Sequence, residues 1–245
     1  MRQLHGICPR THSLSLGAKI LLLALLLVGC EREVYHGVLA SNAGYITTDS
    51  VQIVSEETVD GLTVRRVRTS CEEEPSSYEE WLELDGYYGD KGAELLAALL
   101  PDLDVCELEN ETDRHAVAIM NGKGGRVTDG ASIGSLLRQH GVEAILTWGQ
   151  SCRASCAGAF LGASSRVMYG DSSLHFNVPF EASFEKSVDC ADSEEWGELT
   201  AYVREMLDED IASALLENIS KECDTPAGRA FNSTAAIGMG LASED

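Results

Sequence analysis

The fold is decided by residues 117–179, VAIMNGKGGRVTDGASIGSLLRQHGVEAILTWGQSCRASCAGAFLGASSRVMYGDSSLHFNVP. The stretch opens with a strand that has almost no polar residue, passes through a Gly-rich loop, and reaches an amphipathic helix over 131–141 that Gly141 ends. A second buried strand, a short helix and two short strands at 166–170 and 173–177 follow. This repeated order of strand, turn and helix predicts an α/β domain with a mainly parallel sheet and right-handed crossovers.

The flanking sequence extends the pattern in both directions. Upstream, residues 81–86 predict a strand and residues 91–100 a helix that Pro101 stops. Downstream, residues 194–220 predict one long helix, and residues 233–245 a last helix and a short strand. The predicted domain therefore covers residues 82–245.

The part of the chain before this domain has a different character. Residues 51–70 alternate well enough for two strands around Asp60 and Gly61, a turn signal, and residues 71–81 form an acidic, linker-like segment. Residues 30–81 are therefore predicted to be a strand-rich extension with an acidic linker.

The first 29 residues are predicted to be a lipoprotein signal peptide. They contain three basic residues and no acidic one, and the apolar run 20–28 is too short to span a bilayer comfortably. The run ends in Leu-Val-Gly-Cys, which looks like the lipobox of bacterial lipoproteins, where the cysteine is lipidated. Cys30 is thus the expected membrane anchor. Glu31, in place of an aspartate, favours the outer membrane over the inner, with the chain facing the periplasm.

The charge of the chain excludes one class of partner. The chain has 18 basic and 40 acidic residues, and three of the basic residues lie in the signal, which leaves 15 against 40 and a formal charge of −25. Such a body repels nucleic acid and anionic lipid head groups. Nucleic acid is therefore not an expected partner.

Six cysteines remain after Cys8 and Cys30 are set aside, and an even number in an oxidising compartment favours disulfides. A zinc site made of Cys152, Cys156 and His175 is an alternative, but no second tight ligand pair follows, so no metal is expected. Sequence cannot choose among the fifteen pairings. The bridge that we expect first joins Cys152 and Cys156 on one helical turn, followed by these two pairs: Cys190–Cys223 and Cys71–Cys106.

An ordered set of motifs gives the domain a family resemblance. The set is Asn-x-x-Gly-Gly at 121–125, Asp-Gly-x-x-Ile at 129–133, Gly-x-x-Cys at 149–152, Arg-Val at 166–167 and an aromatic residue, a polar residue, any residue and proline at 176–179. It resembles the ClpP/crotonase superfamily, particularly its secreted bacterial members with a cysteine-serine-cysteine cluster. The resemblance implies a spiral of ββα units.

The resemblance also implies a site for acyl transfer. In Clp-type serine peptidases, the backbone N–H groups of a Gly-Gly pair, here Gly124 and Gly125, stabilise the oxyanion. A serine on the turn into the next helix attacks, and a histidine on a neighbouring strand takes its proton. Asp129 is expected to cap the helix that follows it, and orientation of the catalytic histidine is the alternative role.

The two reacting groups are displaced from the family's positions. The comparison places Ala154 at the nucleophile and Ser155 one residue later, a rotation of about 100° on a helix. It places Asn177 at the histidine, and an amide nitrogen is not a general base. His175 lies two residues earlier, on the same strand face but about 6.6 Å away.

Two functions of different classes follow from this site. The first is an envelope lipoprotein whose peptidase-like domain has lost ordinary catalysis and either binds an extended peptide or protein or forms homo-oligomers. The second is an active serine peptidase or esterase that uses a shifted pair, Ser155 and His175. A crotonase-type enzyme that binds coenzyme A is disfavoured outside the cytoplasm, so no cofactor is expected.

Overall fold

The strands of the protein form one mixed sheet. A computed structural model describes residues 51–70, 78–104, 116–177, 193–222 and 228–243. In this part of the chain nine strands belong to the sheet. Their bounds are β1 Gln52–Val59, β2 Leu62–Ser70, β3 Tyr78–Gly86, β4 Val117–Gly124, β5 Glu143–Leu146, β6 Ser151–Ala154, β7 Ser165–Met168, β8 Ser173–Phe176 and β9 Arg229–Asn232.

The helices fall between and after these strands. Two short 3-10 turns, Leu100–Asp102 and Val127–Gly130, accompany them. No helix among the described residues is long and apolar enough to cross a membrane. The bounds of the α-helices are α1 Asp90–Leu99, α2 Ala131–Gln139, α3 Ser155–Gly162, α4 Glu194–Met206, α5 Glu209–Ser220 and α6 Ser233–Gly238.

The sheet begins with an antiparallel meander of β1, β2 and β3. Asp60 and Gly61 connect β1 to β2 and both have positive φ, at 45° and 85°. This is the backbone of the two-residue hairpin turn whose twist matches that of its strands. The predicted strand pair and its turn are confirmed.

The rest of the sheet is mainly parallel, and it divides at β4. Residues 117–119 of β4 pair with β5, which pairs with β7, whereas residues 122–124 of β4 pair with β6, which pairs with β8. Two strands and a helix, β5-β6-α3 and then β7-β8-α4, therefore form the repeating unit. Only β9 joins this half antiparallel, beside β8. The predicted α/β class with a mainly parallel sheet is confirmed.

The central helix α3 is buried at all eight of its residues. Its small side chains let α2 approach closely, because a Cβ on Gly134 of α2 would lie 3.1 Å from the Gly162 Cα. Two arginine side chains satisfy the carbonyls at its C-terminal end: Arg138 Nε donates to Gly162 O at 3.0 Å, and Arg166 Nη1 donates to Leu161 O at 3.1 Å. The helix is therefore fixed at the end opposite to the site described below.

Several local predictions were wrong. The long helix predicted over 194–220 is two helices, because buried Leu207 is extended and Asp208 starts a second helix, which lets both apolar faces pack. Strands β6 and β9 were not predicted, since four residues carry little periodic signal. Strand β4 also extends to Gly124, into the predicted Gly-rich loop. The short strand predicted in the tail is reduced to one parallel bridge between Ser243 and Val167.

Candidate functional site

Ala154 forms a strained turn between β6 and α3. Its φ of 52° and ψ of −106° make it, with Asp60, one of the two non-glycine residues of positive φ in the described ranges. Such conformations cost about 1–3 kcal/mol and cluster at functional sites. Hydrolases place their nucleophile on a strained strand-to-helix turn of this kind. Here the turn carries a methyl group, and that methyl group is fully buried.

A disulfide brackets this turn. Cys152 and Cys156 are bridged, with their Cα atoms 5.1 Å apart, so the bridge predicted first is confirmed. The assumed helical turn is wrong: Cys152 lies on β6 and Cys156 on α3. Because both sulfur atoms are in the bridge, neither can be a thiolate ligand of a zinc site with His175. The described residues contain no group of three or more His, Cys, Asp or Glu that could hold a metal ion. These cysteines lie outside the described residues: Cys30, Cys71, Cys106, Cys190 and Cys223.

Ser155 is the first residue of α3 and is fully buried. Its Oγ donates to the carbonyl oxygen of Gly124 at 2.7 Å and accepts from the N–H of Tyr88 at 3.1 Å. The hydroxyl thereby joins the end of β4 and the chain after β3 to the start of the central helix. Its one donor and one of its two acceptor lone pairs are used by the backbone.

His175 lies on β8, in register with Arg153 of β6. Its Nε2 is 3.0 Å from the hydroxyl oxygen of Ser173, so its partner is a side chain, and not the backbone carbonyl that a buried strand histidine often finds. Burial lowers the pKa of His175, and the positive charge of Arg153 lowers it further. The ring is therefore neutral at pH 7. Ser155 and His175 each bind other groups, and Asn177 follows the end of β8.

The two glycines have different surroundings. Gly124 ends β4 in register with Ala154, and a Cβ built on it meets no atom within 4 Å, so the space beside it is open. Gly125 has a φ of 94°, and a Cβ there would lie 2.3 Å from Tyr87 Cε2 and 3.0 Å from Ser155 Oγ. Position 125 therefore requires glycine. Open space thus lies beside Gly124, whose register partner Ala154 is fully buried, and this end of β4 is called the groove.

Tyr87 is held by Asp129. The Tyr87 hydroxyl donates to Asp129 Oδ2 at 2.8 Å, and the Arg126 N–H and guanidinium donate to the same carboxylate at 2.8 and 3.0 Å. Burial opposes ionisation of Asp129, but these hydrogen bonds outweigh it and lower its pKa. The prediction that Asp129 caps the following helix is wrong. Asp129 instead caps the start of the 3-10 turn that precedes this helix. Sequence reasoning missed Tyr87, and no motif marks it.

Comparisons with known proteins give a likeness of fold. No protein-family model and no curated protein matches the chain. Among solved structures, a mutant of the 1510-N membrane-bound stomatin-specific protease, in complex with a substrate peptide, matches 66% of this chain and 72% of its own at 15% identity, with a TM-score of 0.48. ClpP1 from Listeria monocytogenes matches 66% and 88% at 18% identity, with a TM-score of 0.46. The ClpP protease catalytic domain from Plasmodium falciparum matches 66% and 82% at 14% identity, with a TM-score of 0.46.

Proposed function

We propose that this protein is a bacterial envelope lipoprotein whose peptidase-like domain binds an extended peptide and does not hydrolyse it. The observation that carries the proposal is the side chain at the strained turn between β6 and α3. Ala154 has the backbone conformation that presents a nucleophile, but its methyl group has no nucleophilic atom.

The neighbouring groups also argue against hydrolysis. A serine nucleophile needs a general base within hydrogen-bond reach and access to the substrate. The Ser155 hydroxyl is fully buried and bonded to two backbone groups, and the Nε2 of His175 is bonded to Ser173. Hydrolysis by this pair would require all of these contacts to be rearranged.

Peptide binding is supported by the end of β4. The register of β3 with β4 ends at Gly86 and Gly122, whereas β4 continues for two more residues to Gly124. Residues 123 and 124 of β4 therefore lie past the end of the pairing with β3, and of their backbone groups the Gly124 carbonyl is bonded to the Ser155 hydroxyl. An extended peptide can add to such an edge through main-chain hydrogen bonds, and this needs no nucleophile.

An envelope location is supported by the lipobox-like sequence that ends at Cys30 and by the Cys152–Cys156 disulfide. Disulfides persist in oxidising compartments such as the periplasm. Cys30→Ser is expected to release the protein from the membrane fraction of the producing bacterium. Retention of this variant at the wild-type level would overturn the lipid anchor.

Binding and cleavage can be tested in one assay. The purified mature protein is incubated with a random peptide library, and retained and cleaved peptides are identified by mass spectrometry. Gly124→Val places a side chain in the space where a Cβ meets no atom within 4 Å, and it is expected to abolish retention. Gly197→Val is the matched control, since a Cβ at exposed Gly197 on α4 also meets no atom within 4 Å.

The expected result is a set of peptides that the wild type and Gly197→Val retain intact and Gly124→Val does not. Cleavage that Ser155→Ala abolishes would overturn the proposal in favour of a serine hydrolase. Retention of no peptide above a blank resin, or equal retention by Gly124→Val, would overturn binding at this groove.

A further inference from the structure

Three nitrogen-bearing side chains lie in one row across three neighbouring strands. Lys123 of β4 is the register partner of Arg153 of β6, and Arg153 is the register partner of His175 of β8. Partners in adjacent strands are about 4.8 Å apart and point to the same face. Their chain neighbours on the opposite face are buried: Gly122, Cys152 and Leu174. The residues Lys123, Arg153 and His175 are called the basic row.

The cations of the basic row have few polar partners among the described residues. Arg153 Nε donates to the Ser151 hydroxyl at 3.2 Å, and His175 binds the Ser173 hydroxyl. Lys91 and Arg126 pair with carboxylates, whereas Lys123 and Arg153 have no ion pair within the residues that the structure describes. Both are exposed. The chain has a formal charge of −22, so carboxylates outnumber basic side chains, yet these two adjacent cations have no carboxylate partner among the described residues.

The surroundings of the row are suited to an anion. The preceding row on the same face carries Asn121, Ser151 and Ser173, which are neutral hydrogen-bonding residues. Asp85 of β3 is a carboxylate near this row. It accepts a hydrogen bond from Asn121 Nδ2 at 2.8 Å, and Asn121 belongs to the preceding row. Burial and then the Arg153 charge lower the pKa of His175, whose Nε2 lies 3.0 Å from the Ser173 hydroxyl.

The basic row also adjoins the groove of the proposed function. Lys123 and Gly124 are the two residues of β4 past the end of its pairing with β3, and the Lys123 side chain lies on the sheet face opposite to the Gly124 Cβ. Arg153 of β6 immediately precedes Ala154 on the same face as Lys123. A peptide strand added beside the end of β4 would have a side chain on the Lys123 face about 5 Å from Lys123 across the strands. A carboxylate at that place can accept a charge-assisted hydrogen bond from Lys123. Arg153 lies one strand further, about 10 Å from the added strand, and attracts the carboxylate through its charge.

We infer that the basic row binds a carboxylate of the extended peptide, so that the groove selects acidic peptides. This inference rests on the proposed function and names its ligand class. Two sources of the carboxylate, an aspartate or glutamate side chain and the peptide's free C-terminus, share this chemistry.

The test measures dissociation constants for three versions of a peptide that the library assay retains. One has glutamine at the varied position and an amidated C-terminus, the second has glutamate and an amide, and the third has glutamine and a free carboxylate. Lys123→Gln and Arg153→Gln remove one charge each. Lys221→Gln, at the C-terminal end of α5, removes a charge that is paired with Glu217 and serves as the control.

We expect the wild type and Lys221→Gln to bind one of the two acidic versions about three- to ten-fold more tightly than the neutral one. The preference is expected to shrink in each basic-row variant and at 0.5 M salt, while the affinity for the neutral peptide stays the same. The acidic version that is preferred identifies the source of the carboxylate.

Equal affinities for all three peptides would overturn the inference and leave the proposed function standing. An acid preference that Lys123→Gln and Arg153→Gln retain would also overturn it, since another site would then read the charge. Binding to vesicles with an anionic phospholipid that these variants abolish, without an acid preference among peptides, would assign the row to a membrane surface instead. Failure of every peptide to bind overturns the proposed function itself.

Discussion

Ser155→Ala is expected to lower the stability of the protein substantially. The substitution removes the fully buried hydroxyl that is the partner of two backbone groups, the carbonyl of half-buried Gly124 and the N–H of buried Tyr88. A buried polar group left without a partner costs about 1–3 kcal/mol, so the two together cost at most about 2–6 kcal/mol. For a domain of this size each kcal/mol lowers the melting temperature by about 2–4 °C.

The assay is urea unfolding of the mature, disulfide-intact protein, followed by circular dichroism. Ser164→Ala is the matched control, because exposed Ser164 donates one 3.2 Å bond to Arg138 O, and its loss is expected to change stability by no more than about 0.5 kcal/mol. A hydroxyl kept for attack on a substrate would not be a structural hydrogen-bond partner. A Ser155→Ala variant as stable as the control would therefore refute the structural role of this hydroxyl.

Three further predictions concern the elements that hold the site. Arg166→Met removes the donor to the carbonyls at the end of α3 and to the Leu241 carbonyl, and should lower the free energy of unfolding, measured by thermal unfolding, by about 2–4 kcal/mol. A decrease of less than about 1 kcal/mol would contradict this. Replacing Cys152 and Cys156 by serine opens a short loop, with a sequence separation of 4, and should cost about 2 kcal/mol in urea without reductant; unchanged stability would show that the bridge is dispensable. Because the folded-state pKa of Asp129 is lowered, its contribution is present at neutral pH and lost as the pH falls below about 4. Asp129→Asn should therefore differ from wild type in melting temperature at about pH 7 and converge with it at about pH 3, and a constant difference would contradict the account.

Much of the fold could be predicted because its elements are periodic and apolar. The hairpin at Asp60 and Gly61 needs only local turn chemistry, and the long buried strand β4 has almost no polar residue in its first half. Strand β6 could not be predicted in this way, because Ser151–Ala154 is short and runs directly into a helix of small apolar residues. The break at Leu207 depends on packing between α4 and α5, which sequence does not display.

The site could be predicted in part. The motif comparison placed Ala154 at the nucleophile position, and the structure adds the backbone conformation of that residue, which only coordinates reveal. The partners of Ser155 could not be predicted, because Tyr88 lies 67 residues away in the chain. The basic row depends on the register of three strands, and spacing in the sequence does not encode that register.

The central claim is that a peptidase-like site lacks a usable nucleophile, and covalent labelling tests it most directly. The purified mature protein is treated with a small fluorophosphonate, which labels activated serines, and its intact mass is measured. The account predicts no increase in mass, because Ala154 has no hydroxyl and the Ser155 hydroxyl is buried between two backbone partners. One adduct per chain, mapped to Ser155, would contradict it.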